Sequence, residues 1–292
     1  MKKMCLVAVT MTLVLCLACS SNSAVSTQDR DSGVSSSGSS SSGGKTTPES
    51  DFTVTLTSDN AGAVITAYNG NAKNVVIPVT IQGLPVRVIG YKRDGIGGIG
   101  AFENNNTITS VVIPEGVTSI DFRAFYGSSL SSITLPSTLK TISNAAFMNC
   151  AALKSITLPK GLTEIGQSAF SGTGLTSFPN TWPDGLHIAN FMFSESNLSG
   201  HLVIPERTLF IGQGAFKNTS ITSLTLPSTI DTIDDFAFQG CTSLTTVNIP
   251  ESVKRIAFND LFIIQRQFEK NGKIDLASQA RLRAVGYKGS FN

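Results

Sequence analysis

The sequence contains few of the side chains on which most catalytic and metal sites depend. Charged residues make up 14% of its 292 residues, and the two histidines, His187 and His201, stand 14 positions apart. That separation is not the close ligand spacing of a zinc site. No nucleophile elbow, Walker loop or dinucleotide-binding glycine pattern occurs in a strand–turn–helix setting. The sequence therefore predicts a non-catalytic protein that holds no metal and no cofactor.

Cysteine is also scarce, and three of the five cysteines lie within the first 19 residues. Cys5 and Cys16 belong to an apolar run that follows Lys2 and Lys3. This run is too short to span a membrane and is typical of a secretory signal peptide. Without Lys2 and Lys3, the 22 basic and 20 acidic residues become 20 of each, so the exported chain is expected to be neutral.

Cys19 marks the predicted end of the signal peptide, residues 1–19. It follows Leu17 and Ala18 and resembles the cysteine of the bacterial lipobox, although Cys16 stands where that pattern prefers leucine. The resemblance implies that Cys19 is lipidated and anchors the chain to a membrane. Because no aspartate follows Cys19, the analogy favours the outer membrane or cell surface. The alternatives are an ordinary cleaved signal peptide or an uncleaved anchor.

Residues 20–50 are expected to be a disordered tether. They contain 13 serines and almost no apolar side chains, so they cannot bury enough surface to fold. A flexible segment of this length reaches about 30 Å on average, which is enough to hold a domain clear of a lipid surface.

The rest of the chain is organised around an internal repeat. Phenylalanine recurs every 22 or 23 residues, at Phe102, Phe125, Phe147, Phe170, Phe193, Phe216 and Phe238. A proline recurs in step, at Pro114, Pro136, Pro159, Pro205, Pro227 and Pro250. A unit this short cannot enclose a core alone, so the period predicts coils that stack into a solenoid.

Each unit is expected to contribute two short strands. The segment before the proline alternates polar and apolar residues, as in Ile133-Thr134-Leu135, and the proline ends it. Stacked strands then form parallel sheets with about 4.8 Å between coils. Cys150 and Cys241, four coils apart, would be separated by roughly 19 Å, whereas a disulfide requires less than about 7 Å between Cα atoms. They are therefore predicted to be unbridged corner residues.

Residues 100–258 resemble the BspA-like, treponemal-type leucine-rich-repeat family of bacterial surface proteins. The family pattern L-x-x-I-x-[IL]-P-x-x-[VL]-x-x-I-x-x-x-A-F-x-x-C stands nearly unaltered at residues 130–150 and 221–241. The resemblance implies a right-handed leucine-rich-repeat solenoid on an exported protein. Members of the family are often associated with adhesion to host matrix proteins, host cells or other bacteria.

Caps are expected at both ends of the solenoid, which is predicted to span residues 101–258. Residues 51–100 read as a β-rich N-terminal cap with a divergent first repeat, and residues 259–292 as a helical C-terminal cap. Residues 251–292 hold eight basic and four acidic residues. We interpret this excess as cations near helix ends rather than as a nucleic-acid site.

The candidate binding surface is the outward face of the strands that precede the prolines. It is expected to be broad, weakly charged and hydroxyl-rich, with the candidate residues Thr134, Lys154, Thr157, Thr225, Thr245 and Asn248. At any single position, the alternative is that threonine merely suits an exposed strand. The irregular segment 175–204 is a second candidate site, with Trp182, His187 and His201; the alternative is that its aromatic residues pack inward.

The leading functional hypothesis is a surface-displayed, adhesin-like lipoprotein. Its partners would be host extracellular-matrix or cell-surface proteins, or other bacteria, bound through the sheet face. Two alternatives remain open. One is a carbohydrate-binding module, for which Trp182 is the only tryptophan available, and the other is a purely structural envelope lipoprotein.

Overall fold

The structure, a computed structural model, describes residues 45–92 and 98–256, together with residues 280, 283 and 284. These residues form a β-solenoid of about 8 turns, as the repeat predicts. The signal peptide, Cys19 and most of the tether lie outside the described residues. So does the predicted C-terminal cap, except for residues 280, 283 and 284, which are helical.

The described residues contain a 3-10 helix, Glu49–Asp51, and short strands. The strands are β1 (Phe52–Leu56), β2 (Ala63–Tyr68), β3 (Asn74–Val76), β4 (Thr80–Ile81), β5 (Leu84–Ile89), β6 (Tyr91–Lys92), β7 (Ile99–Gly100), β8 (Ser110–Val112), β9 (Ser119–Ile120), β10 (Ser132–Thr134), β11 (Thr141–Ile142), β12 (Glu164–Ile165), β13 (Ser199–Val203), β14 (Phe210–Ile211), β15 (Ser220–Thr225), β16 (Thr232–Ile233), β17 (Thr246–Asn248) and β18 (Arg255–Ile256).

We call the strand before each repeat proline the leading strand and the one after it the trailing strand. Each leading strand ends two residues before its proline, as in β8 with Pro114 and β10 with Pro136. The trailing strands β9, β11 and β12 continue a parallel sheet that begins with β2 and β5, while β14, β16 and β18 form another. The predicted two strands per unit are confirmed in the coils of β8, β10, β13, β15 and β17, whereas the coil of β12 has a trailing strand but no leading strand.

The N-terminal cap adds three antiparallel pairs to the parallel pairing of β2 with β5. Strand β1 pairs with β2, β4 with β5, and β6 with β7, all antiparallel, whereas every pairing between successive described coils is parallel. An antiparallel strand at the end covers the edge that the first coil would otherwise expose. The β-rich cap predicted for residues 51–100 is therefore present in its described part.

The predicted boundary between tether and domain is too late in the chain. Thr47 is buried, its N–H donates to the Val76 carbonyl oxygen at 2.9 Å, and its hydroxyl accepts the Val76 N–H at 2.9 Å. The Glu49 carboxylate accepts the N–H of Gln82 at 2.8 Å. Residues 45–50 are thus part of the folded unit. Composition alone misplaced them because they are polar, and their polar groups satisfy backbone groups of the first coil.

The recurring phenylalanines form one continuous column of rings in the core. All seven are at most 1% exposed. Successive ring centroids are 4.9, 5.2, 5.6, 5.7, 5.6 and 5.6 Å apart, and the rings are within 14° of parallel. Tyr68 and Phe52 extend the column into the cap, with centroid distances of 5.3 Å from Phe102 to Tyr68 and 5.4 Å from Tyr68 to Phe52. The shared interior that the repeat predicts is confirmed.

The corner after each phenylalanine is closed by a small polar side chain. The Cys150 thiol donates to the Phe125 carbonyl oxygen of the preceding coil at 3.0 Å, and Cys241 donates to that of Phe216 at 3.1 Å. Thr219 instead bonds the carbonyl oxygen of Phe216 within its own coil, at 2.8 Å. Neither cysteine forms a disulfide. The prediction of unbridged corner residues is confirmed.

Each corner contains a residue with a left-handed backbone conformation, and this explains why asparagine or glycine recurs there. The residue two positions after the column phenylalanine has φ between 53° and 75° in every coil, and it is Asn104, Gly127, Asn149, Gly172, Glu195, Asn218 or Gly240. Asparagine and glycine adopt this conformation at little cost. Glu195, in the irregular segment, is the exception.

Candidate functional site

The outward face of the leading strands carries two registered rows of side chains. One row is formed by the residue two positions before the proline, and the other by the residue four positions before it. In the first row, Val76, Val112 and Thr134 are neighbours, as are Val203, Thr225 and Asn248. In the second row, Asn74, Ser110 and Ser132 are neighbours, as are His201, Ser223 and Thr246.

These leading strands form two separate sheets rather than one continuous surface. Strands β3, β8 and β10 form the first, and β13, β15 and β17 form the second. Residues 154–158, between them, repeat the strand pattern but are not in a strand. We call the outward faces of the two sheets the N-terminal patch and the C-terminal patch. The broad face predicted from the sequence is therefore divided at its centre.

His201 is the centre of the C-terminal patch. Its Nδ1 lies 2.6 Å from the Ser223 hydroxyl and its Nε2 lies 3.3 Å from the Thr225 hydroxyl. A neutral imidazole donates at one nitrogen and accepts at the other, and a hydroxyl can take either role. The ring therefore links two residues on the outward face of β15 and holds both hydroxyls in place. The structure thus joins His201, predicted as part of an irregular loop, with Thr225, predicted as part of the sheet face.

An exposed apolar side chain lies beside this cluster. Val203 is 53% exposed, and it is in register with Thr225, which is in register with Asn248. The six row positions of the C-terminal patch include no aspartate, glutamate, lysine or arginine. A surface with one apolar residue among hydroxyl, amide and imidazole groups on the outward face of a sheet suits contact with a macromolecule more than capture of a small ligand.

The N-terminal patch ends at an open cleft of about 450 Å³. Its lining residues are Glu115, Ile133, Thr134, Leu135, Ser137, Thr157, Leu158 and Pro159. The structure thus brings together Thr134 and Thr157, two of the predicted surface residues, on the walls of this cleft. Sequence reasoning did not find Glu115, Ile133 or Leu135, because each occupies a repeat position that looks ordinary.

The remaining predicted residues lie apart from these features. The Lys154 side chain is exposed. The hydroxyl of Thr245 donates to the carbonyl oxygen of Thr222 at 3.2 Å, which joins two coils. His187 is exposed.

Trp182 packs inward. Its ring centroid lies 4.8 Å from that of Phe178 and 6.2 Å from that of Phe193, and its Nε1–H donates to the Leu186 carbonyl oxygen at 3.1 Å. The indole therefore fills core volume in the irregular segment, in agreement with the alternative considered for it. A half-buried ring in this position does not offer the open face that stacking on a sugar requires.

Glu115 is the acidic residue in the lining of the cleft. The Ser137 N–H donates to the Glu115 carboxylate at 2.9 Å, and this bond holds the pKa of Glu115 below its ordinary value. Glu115 therefore carries its charge at neutral pH.

In the part of the chain that the structure describes, no group of three or more His, Cys, Asp or Glu residues is placed to hold a metal ion. Within the same part, no helix is long and apolar enough to cross a membrane.

The comparison with protein families decides the identity of the repeat. The family described as BspA type leucine-rich repeat region matches six copies of its unit over residues 96–181 and 178–266. The chain belongs to this family. No curated protein matches the chain. The resemblance inferred from the spacing of phenylalanine and proline is thereby confirmed.

Two crystal structures of bacterial leucine-rich-repeat proteins share the fold. TpLRR from T. pallidum is 29% identical, with a TM-score of 0.54, and the match covers 85% of this chain and 99% of TpLRR. A protein from Bacteroides ovatus is 27% identical, with a TM-score of 0.61, and the match covers 71% of this chain and 54% of that protein. The chain thus has the BspA-type solenoid and spans about half of the second relative. Proteins of this repeat class generally mediate protein–protein contacts and are non-catalytic.

Proposed function

We propose that this protein is an adhesin-like lipoprotein of the bacterial surface that binds a protein partner through the C-terminal patch. The observation that carries the proposal is the cluster of His201, Ser223 and Thr225 beside the exposed Val203. Side chains held by mutual hydrogen bonds lose little conformational freedom when a partner binds. Host extracellular-matrix or cell-surface proteins, or proteins of other bacteria, are the proposed partners, and the function is non-catalytic.

Binding by the C-terminal patch is tested with purified residues 45–292 and a panel of immobilised extracellular-matrix proteins. We expect saturable binding to at least one of them. Thr225→Glu and Val203→Glu should each weaken this binding at least about tenfold, because each places an unpaired charge in the contact. Surface plasmon resonance measures the affinities, and circular dichroism verifies the fold of each variant.

Gln167→Glu is the matched control for this experiment. Gln167 is exposed in a turn outside the leading strands, so the variant adds the same charge elsewhere and should bind as the unmodified chain does. Equal loss in all three variants would show a general charge effect and would contradict the proposal. Binding to a glycan array alone would favour a carbohydrate-binding module. No binding in either assay would favour a purely structural envelope protein.

Membrane attachment through Cys19 is the second part of the proposal. It is supported by the signal-like run, the cysteine after Leu17-Ala18 and the serine-rich segment that follows. In a bacterial host, the full chain is expected to incorporate labelled palmitate and to fractionate with the outer membrane. Cys19→Ala should abolish both, whereas Cys16→Ala should abolish neither. Labelling that persists in Cys19→Ala would refute lipidation at this residue.

A further inference from the structure

The break between the two patches leaves strand β10 with one edge that is not paired to the next coil. The Thr134 carbonyl oxygen accepts the Ile113 N–H at 3.0 Å, so Thr134 directs its backbone groups toward β8. Alternate residues of a parallel strand direct their backbone groups to opposite neighbours. Ile133 therefore directs its N–H and C=O toward residues 154–158. No hydrogen bond joins these residues to residues 131–135 among the contacts of the described coils.

The same break uncovers apolar side chains that other coils bury. Ile133 and Leu135 are half-buried. The residues equivalent to Ile133 in the other coils are at most 6% exposed: Val75, Val111, Ile156, Leu202, Leu224 and Val247. Burial of an apolar side chain stabilises a complex in proportion to the area removed from water. The cleft therefore offers an apolar floor next to an open strand edge.

Thr181 binds the backbone of the far wall of the cleft from the side of the following unit. In regular coils, the residue before the proline donates its N–H to the next coil, as Ile113 does to Thr134. Leu158 instead donates its N–H to the Thr181 hydroxyl at 3.1 Å, and that hydroxyl donates to the Leu158 carbonyl oxygen at 2.8 Å. One side chain thus takes the place of a strand pairing. The irregular unit therefore joins residues 154–158 through one side chain rather than through a strand.

The negative charge of the cleft favours an occupant that carries a cationic side chain. Glu115 is the single charged residue among the eight that line it. Both of its carboxylate oxygens accept hydrogen bonds from Ser137, each at 2.9 Å, which fixes the carboxylate at the rim. A cationic side chain placed there would find a complementary partner, whereas an anionic one would be repelled.

We propose that this cleft binds an extended segment of a protein partner by adding a strand to the free edge of β10. The segment would pair its backbone with Ile133, place apolar side chains on Ile133 and Leu135, and place a lysine or arginine beside Glu115. An open strand edge is a general template for such pairing. The proposal rests on the proposed function in taking a protein as the partner, but it uses a site distinct from the C-terminal patch.

The probe is a fluorescein-labelled hexapeptide of alternating threonine and valine with one terminal lysine, added to the chain from residue 20 to residue 292. Fluorescence anisotropy measures the affinity. Two further peptides carry N-methyl groups on every second amide, one in each phase. We expect at least one phase to weaken binding tenfold or more, because N-methylation removes the donors that face β10. Equal affinity of all three peptides would overturn strand pairing.

Hydrogen exchange locates the bound peptide. The amides of Ile133 and Leu135 are expected to exchange at least tenfold more slowly with the peptide bound, while that of Leu224, in the second sheet, keeps its rate. Protection confined to other coils, or no binding of the peptide, would overturn the proposal.

Two protein variants separate the cleft from the patch. Glu115→Gln should weaken binding of the lysine peptide about two- to fivefold and leave a peptide with threonine in place of lysine unaffected. Val203→Glu should leave peptide binding unchanged, even though it is expected to weaken matrix binding at least about tenfold. If the unmodified chain binds the matrix protein but not the peptide, the cleft proposal alone is refuted. If it binds the peptide but not a matrix protein, the proposal for the C-terminal patch alone is refuted.

Discussion

Replacing Phe147 with alanine is expected to lower the free energy of unfolding by about 3–5 kcal/mol. The Phe147 ring is fully buried and stacks on both neighbours, with centroids 5.2 Å from Phe125 and 5.6 Å from Phe170. Its removal leaves a cavity between two coils, and each coil depends on its neighbours for an interior. Urea unfolding followed by circular dichroism measures the loss.

Phe122→Ala is the matched control for this prediction. Phe122 is 39% exposed and lies outside the column, so its replacement should cost less than about 1 kcal/mol. Phe147→Leu keeps most of the buried volume and should fall between the two. If Phe147→Ala and Phe122→Ala unfold at the same urea concentration, the column is not the main support of the solenoid.

The Cys150 thiol is expected to resist alkylation in the folded chain. It is fully buried, and burial raises its pKa to about 11. Because the thiolate is the reactive species, at pH 8 iodoacetamide should modify folded Cys150 at least about a hundredfold more slowly than unfolded Cys150 in urea. Mass spectrometry of residues 45–292 carrying Cys241→Ser follows this cysteine alone. Rapid labelling without urea would contradict the buried corner.

The raised pKa of Cys150 also predicts a loss of stability in alkaline solution. The unfolded thiol ionises near its ordinary value of 9.0, whereas the folded thiol stays neutral to about 11. The unfolded state alone therefore releases this proton between these values, so stability is retained below pH 9 and decreases as the pH rises toward 11. Cys150→Ser has no such group and should show a smaller decrease. Urea midpoints at several pH values measure the difference, and parallel curves would argue against it.

Several features of this protein follow from the sequence because they depend on spacing alone. The interval of 22 or 23 residues between phenylalanines requires that equivalent residues stack, and the rings do stack. The same interval separates Cys150 from Cys241 by four coils, which excludes a disulfide whatever the details of the corner. The outward row two positions before the proline also follows, because side chains alternate between the two faces of a strand. The second row was misplaced by one residue, since the predicted Lys154 and Thr245 stand five positions before the proline and the row lies four positions before it.

The candidate site was predicted only in part. Thr225 and Asn248 do lie in register on the outward face. His201 was assigned to the irregular segment 175–204 but lies in β13. That segment returns to strand geometry at Ser199, before its predicted end. Trp182 packs inward, where its ring fills the space beside Phe178 and Phe193. Pattern alone does not measure that space.

The sequence by itself determined that this chain forms a solenoid of the BspA type, since each repeat carries a core residue that only its neighbours can cover. Only the tertiary structure decided where that solenoid is open. Residues 154–159 match the repeat as well as any other unit, yet no backbone hydrogen bond joins them to β10, and on their other side the Thr181 hydroxyl binds the backbone of Leu158 in place of a strand pairing. Pairing between coils depends on how two segments more than 20 residues apart lie relative to each other. That placement is set by contacts between units, which no single unit encodes.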